Sequence, residues 1–128
     1  MAGELILIVE DNDKNMKLVR DVLQHHGYRT LEAVTGEDGV ALAREHAPAL
    51  VLMDIQLPGI DGIEAFRQLA ASEATRNIPV IAITASAMQE ERSEIEAVGF
   101  AGYQPKPIRI KEFTAAVEQV LASPGGGS

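Results

Sequence analysis

Three short runs of apolar, mostly branched residues most constrain the fold of this chain. They occupy residues 5–9, 50–53 and 80–83. A run of this length without polar alternation is typical of a strand that is buried on both faces, as in a parallel sheet. Each run is far too short to span a bilayer. We therefore expect an α/β protein built round a parallel sheet.

Helical patterns alternate with these strands. Small polar side chains that can accept a backbone N–H mark helix starts, and Gly or Pro marks helix ends. A more polar strand at residues 28–34 and a weaker one at 100–103 complete five β-α units. The boundaries that we predict are Asp13 and Gly27 for the first helix, Thr35 and Pro48 for the second, Asp61 for the start of the third, and Ala87 and Gly99 for the fourth; the fifth carries Ile110, Phe113, Val117 and Leu121.

Five β-α units in succession predict right-handed crossovers, with helices on both faces of the sheet. Five strands favour the flavodoxin-like order 2-1-3-4-5 over a six-stranded Rossmann sheet. Ligands of such sheets bind beyond the carboxyl ends of the strands. The residues that follow the strands are therefore the candidates for a functional site.

Polar side chains follow four of the five strands. Glu10 and Asp11 follow the first strand, Asp54 the third, Thr84 the fourth and Lys106 the fifth. Three carboxylates at one edge repel each other, and Mg²⁺, which prefers oxygen ligands, relieves that repulsion. A carboxylate nucleophile, Mg²⁺, a lysine and a hydroxyl are the groups that phosphoryl transfer onto an aspartate requires.

Each of these residues also has a structural explanation. Asp11 could cap the following helix, Thr84 suits a strand, and Lys106 could be a surface lysine. Their joint placement after four different strands favours a shared site over four unrelated roles.

Four segments, at residues 8–12, 52–62, 83–85 and 103–107, make a resemblance visible. Over residues 4–122 the chain resembles the receiver, or phosphoacceptor, domains of two-component response regulators, the CheY-like family. It is most similar to single-domain regulators of the DivK type and to receivers attached to hybrid histidine kinases. The resemblance implies a signalling switch rather than an enzyme, one that promotes its own phosphorylation and dephosphorylation.

The resemblance also implies roles for the residues around the pocket. Asp54 would be the phosphoacceptor. Asp11 and Asp54 would bind Mg²⁺ together with the main-chain carbonyl of Gln56, and Glu10 would reach the metal through a water molecule. Because Glu10 stands where Asp is more common, its longer side chain disfavours direct binding of the metal.

Three further residues are implied to respond to phosphorylation. Lys106 would pair with Asp54 and then with its phosphoryl group, and Thr84 would move towards that group. Tyr103 would turn inward once Thr84 has moved. The peptide bond between Lys106 and Pro107 is expected to be cis.

The family also implies partners. The phosphoryl donor would be a histidine kinase or a histidine phosphotransfer protein, and a downstream protein would bind the face formed by helix 4, strand 5 and helix 5. The residues that we expect to be exposed on this face are Met88, Glu91, Arg92, Glu94, Pro105, Arg109 and Glu112. We expect a monomer or a weak dimer.

Composition excludes or disfavours several classes of partner and site. The net charge of −8 disfavours nucleic acid and anionic membranes as partners, and the absence of cysteine excludes disulfides and thiolate metal sites. We expect a cytoplasmic receiver domain at residues 1–122 and a flexible Gly/Ser tail or linker at 123–128. Three alternatives remain open, namely a receiver excised from a hybrid kinase, an interaction module that needs no phosphorylation, and a flavodoxin-like redox protein.

Overall fold

A computed structural model of the chain describes residues 3–85 and 88–122. Five parallel strands form one sheet in the order β2-β1-β3-β4-β5, which confirms the predicted flavodoxin-like topology. The strands are β1 (Leu5–Val9), β2 (Arg29–Ala33), β3 (Leu50–Asp54), β4 (Val80–Thr84) and β5 (Gly102–Pro105). The helices are α1 (Asp13–His25), α2 (Gly36–His46), α3 (Gly62–Ala70), α4 (Gln89–Val98) and α5 (Ile110–Ala122). None of the helices in the described ranges is long and apolar enough to cross a membrane.

The apolar runs form strands because both faces of the sheet are covered. Alternate residues of β1, β3 and β4 point to opposite sides, so a strand that is covered on both sides needs apolar residues throughout. One core contains Leu7 and Val51 and packs against α2, α3 and α4. The other contains Ile8 and Leu52 and packs against α1 and α5. The sheet is therefore the middle layer of three.

The helix starts follow local capping chemistry. The side chains of Thr35 and Asp61 accept the backbone N–H groups of Asp38 and Glu64, as the sequence predicts. The prediction that Asp13 caps α1 is wrong by one residue. Asn12 is the cap, and its Oδ1 accepts the Asn15 N–H at 3.0 Å. Asp13 lies in the first turn, where its charge favours the helix dipole.

The fourth and fifth units differ most from the sequence prediction. The strand predicted at residues 100–103 is observed at 102–105, because Phe100 is a core residue that stacks on Phe66 before the strand begins. Helix α4 begins at Gln89, after Met88, which makes no side-chain cap. The predicted start at Ala87 lies outside the described residues, as does the predicted tail at 123–128.

Candidate functional site

The carboxyl ends of the central strands meet at one edge of the sheet. Asp54 is the last residue of β3 and pairs in register with Ile83 of β4, so Thr84 lies one position further along the same edge. The Lys106 backbone N–H donates to the Thr84 carbonyl oxygen at 2.8 Å, which brings the segment after β5 to this edge. The peptide bond between Lys106 and Pro107 is cis, as predicted.

Lys106 forms ion pairs with two buried carboxylates. Its Nζ lies 2.8 Å from Asp54 Oδ2 and 3.4 Å from Glu10 Oε2. The side chains of Asp54 and Glu10 are only 2% and 4% exposed, so water contributes little to the neutralisation of their charges. The lysine therefore supplies the positive charge that makes burial of the two carboxylates tolerable.

The second carboxylate oxygen of Asp54 is held by the loop that follows β3. The Gln56 backbone N–H donates to Asp54 Oδ1 at 2.9 Å. Gly62, at the start of α3, packs directly on the backbone of Asp54, and a Cβ at this position would overlap the Asp54 carbonyl oxygen. The close approach of α3 to the end of β3 thus requires a glycine at position 62.

Glu10 is the carboxylate that is most perturbed by its surroundings. Its pKa is raised from 4.5 to about 7, chiefly by burial and further by the neighbouring Asp54 carboxylate. Lys106 and the Asn12 backbone N–H, which donates to Glu10 Oε2 at 3.2 Å, oppose this rise. Burial lowers the pKa of Lys106, but its bonds to Asp54 and Glu10 outweigh that effect, so the pKa lies above its ordinary value.

Asp11 completes a cluster of acidic groups. One carboxylate oxygen from each of Glu10, Asp11 and Asp54 lies within 4.8 Å of the other two. Asp11 is exposed, which leaves the cluster open to solvent on one side. Three carboxylates against one lysine leave excess negative charge, and an all-oxygen donor set of this kind fits Mg²⁺. These residues could therefore hold a divalent cation.

Thr84 and Tyr103 contact the first turn of α4. Thr84 is fully buried, and its Oγ1 donates to Glu91 Oε1 at 2.5 Å. Tyr103 is half-buried, and the guanidinium carbon of Arg92 lies 4.8 Å from its ring centroid. The prediction that Glu91 and Arg92 are exposed is wrong, because both are half-buried against these two side chains.

Comparisons with known proteins identify the family of this chain. Residues 6–118 match the family model of the response regulator receiver domain. The chain is 44% identical over 116 residues to the polar-differentiation response regulator DivK of Brucella ovis, which covers 91% of this chain and 94% of that protein.

Solved structures show the same fold. The receiver domain of the sensor histidine kinase PA1611 from Pseudomonas aeruginosa, solved with magnesium in its active site cleft, has a TM-score of 0.88 and 34% identity and covers 95% of this chain and 100% of that one. A putative response regulator from Chloroflexus aurantiacus has a TM-score of 0.90 and 26% identity, with 94% and 99% coverage.

The fold and the acidic, lysine-paired edge define a phosphoacceptor class of α/β signalling protein. The family match makes this definite, and the chain belongs to the response regulator receiver domain family. It is a receiver domain of two-component signalling.

Proposed function

We propose that Asp54 is the phosphoacceptor and that a phosphohistidine of a histidine kinase or phosphotransfer protein is the donor. A carboxylate oxygen of Asp54 attacks phosphorus, the phosphorus–nitrogen bond breaks, and the imidazole leaves with its electron pair and takes up a proton. The observation that supports this most is the buried ion pair of Asp54 with Lys106 at 2.8 Å, at the open edge of the sheet. Lys106 would move from the carboxylate to the new phosphoryl oxygens.

Asp11, Asp54 and the main-chain carbonyl of Gln56 would hold Mg²⁺, with Glu10 acting through a water molecule. The acidic cluster and the position of the Gln56 backbone beside Asp54 support this assignment. When bound, the metal neutralises charge on the phosphoryl oxygens and on the carboxylates. The chain's own residues orient Asp54 through the Gln56 N–H and hold Lys106 ready to neutralise charge.

Thr84 and Tyr103 would convert phosphorylation into a change of surface. The Thr84 hydroxyl would donate to a phosphoryl oxygen, and Tyr103 would move into the space that this shift opens. A downstream protein would bind the face formed by α4, β5 and α5. Thr84 and Tyr103 lie between the Asp54 edge and α4, and this position supports a coupling between phosphorylation and the surface of α4.

Phosphorylation of the purified protein by a small acyl phosphate in Mg²⁺, followed by intact mass measurement, tests the proposal. We expect a phosphoryl mass increment in the wild type that is lost in Asp54→Asn and after removal of Mg²⁺ by a chelator. Asp38→Asn changes an exposed carboxylate of α2 and should keep the increment. A wild type that acquires no increment would favour an interaction module that needs no phosphorylation.

A further inference from the structure

We propose that Glu91 is a positioning residue that competes with the phosphoryl group for the Thr84 hydroxyl and so sets how readily this receiver switches. This inference rests on the proposed function, because it concerns the response of Thr84 to a phosphoryl group on Asp54. Glu91 lies in the first turn of α4, seven residues after Thr84.

The chemistry of a hydroxyl makes the competition strict. Thr84 has one O–H, and the structure shows it donated to Glu91 Oε1. The same proton cannot be donated to a phosphoryl oxygen at the same time. A bond to a carboxylate is stronger than one between neutral groups, so Thr84 gives up a good acceptor when it turns towards Asp54. The bond therefore favours the unphosphorylated arrangement.

The charge of Glu91 acts in the same direction. Its carboxylate is half-buried, one hydrogen bond from Thr84, at the edge that would receive an anionic phosphoryl group. Like charges in a partly desolvated site repel more strongly than in water. An arrangement in which α4 carries Glu91 away from this edge is thus favoured after phosphorylation.

The weak anchoring of α4 to the core is consistent with a movement of this helix away from the Asp54 edge. Of its residues, all of which the structure describes, Ile95 alone is buried, and the helix begins without a side-chain cap. Arg92, next to Glu91, lies over the Tyr103 ring, and its Nε is buried without a hydrogen-bond partner within the described part of the chain. One turn of α4 therefore contacts both Thr84 and Tyr103. Release of Glu91 from Thr84 would thus also affect the contact between Arg92 and Tyr103.

Binding of beryllofluoride, a phosphoryl analogue, in saturating Mg²⁺ tests the inference, with affinity measured by titration calorimetry. We expect Glu91→Ala to bind at least about tenfold more tightly than the wild type, since one hydrogen bond to a charged group no longer opposes binding. Glu91→Gln keeps an acceptor oxygen and should lie between the two. Glu94→Ala, at an exposed position of the same helix, should match the wild type.

Two further measurements separate positioning from a general structural role. In a Thr84→Ala background, the tightening from Glu91→Ala should be clearly smaller, because the competing hydroxyl is absent and only the repulsion between the Glu91 carboxylate and the anionic analogue is removed. In the metal-free protein, the Thr84 methyl NMR signal of Glu91→Ala should shift towards its position in the wild type with beryllofluoride bound.

The outcomes that overturn the inference are distinct from those that overturn the proposed function. A wild type that binds beryllofluoride with the same affinity as Glu91→Ala overturns only the role of Glu91. So does a tightening that is undiminished in the Thr84→Ala background. If neither the wild type nor Glu91→Ala binds beryllofluoride in Mg²⁺, the phosphoacceptor proposal fails, and the inference fails with it. Glu91→Gln, which nearly preserves shape, decides the question if Glu91→Ala does not fold.

Discussion

At the scale of single residues, Lys106 has two partners to neutralise and only one charge. Asp54 takes the shorter bond, and Glu10 the longer one, in a setting from which water is largely excluded. Removing one member of a buried ion pair is costly because the other charge remains buried without compensation. The stability of the metal-free protein should therefore depend on this lysine.

We expect Lys106→Met to lower the free energy of unfolding by about 3 kcal/mol in a chelator, because two buried carboxylates lose their cation. Saturating Mg²⁺ should restore much of this loss. Urea denaturation with and without Mg²⁺ measures both effects. Lys111→Met, at an exposed position of α5, is the matched control and should behave as the wild type. Equal stability of Lys106→Met and the wild type in chelator would contradict this account.

The raised pKa of Glu10 leads to a second prediction, which concerns how the stability of the metal-free protein depends on pH. With a pKa of about 7 when folded and an ordinary value of 4.5, folded Glu10 binds more protons than the unfolded residue between these pH values. Stability should therefore fall by about 1–3 kcal/mol as pH rises from 4.5 to 7. Urea denaturation across this range tests it.

The matched variants for this pH dependence are Glu10→Gln, which should remove the fall, and Glu73→Gln, which changes an exposed carboxylate and should keep it. Mg²⁺ should also reduce the fall, because a divalent cation favours the ionised carboxylate. A pH slope that is the same in Glu10→Gln and the wild type would refute the assignment.

At the scale of elements, the close packing of α3 on the end of β3 fixes the backbone that carries Asp54. Gly62 permits this approach because a Cβ would overlap the Asp54 carbonyl oxygen. We expect Gly62→Ala to lower stability by about 1–3 kcal/mol and to weaken Mg²⁺ binding as the carboxylate is displaced. Calorimetric Mg²⁺ titration and urea denaturation measure the two effects.

Gly102→Ala is the control for this prediction, because the space around a Cβ at that position is open. It should leave Mg²⁺ affinity close to that of the wild type. Unchanged Mg²⁺ affinity in Gly62→Ala would show that the Asp54 side chain does not depend on the approach of α3.

The strands also show which parts of the fold can be predicted from the sequence. The bare apolar runs predict β1, β3 and β4 well, because a strand covered on both faces has no polar positions to obscure it. Strand β5 is mostly half-buried, so its apolar pattern is weak and predicts the strand two residues too early. The strand-end rule places Asp54, Lys106 and the acidic pair of β1 at one edge.

The contacts of Glu91 could not be predicted in the same way. They depend on the angle at which α4 leaves the segment after β4, and no periodicity encodes that angle. The one available signal is a helix whose first turn is rich in charged residues and lies close in sequence to Thr84. Such a turn suits a solvated helix surface equally well, and the sequence therefore predicts that Glu91 and Arg92 are exposed.

At the scale of the whole molecule, the sheet separates two cores that share every central strand. Leu23 of α1 lies in one core and Leu69 of α3 in the other, and both are almost fully buried. Leu23→Ala and Leu69→Ala should each lower the free energy of unfolding by about 2–5 kcal/mol through lost burial and a cavity. Because the strands are shared, each variant should unfold in one transition with an unchanged urea dependence.

Val34→Ala, at an exposed apolar position, should change stability by less than about 0.5 kcal/mol and serves as the control. Urea unfolding of both leucine variants should be monitored by circular dichroism and NMR. Two separate unfolding transitions in either variant would show that the two cores unfold independently.

Asn12 belongs to the pocket and to α1 at once. Its backbone N–H donates to Glu10, while its side chain starts the helix by accepting the Asn15 N–H. The chain has no tryptophan to give an optical signal from the site. The Asn12 amide is a reporter that the fold already provides. Its hydrogen–deuterium exchange reports whether Glu10 still accepts the Asn12 N–H or has turned to another partner. The exchange of the Asn15 amide reports whether this change also loosens the first turn of α1.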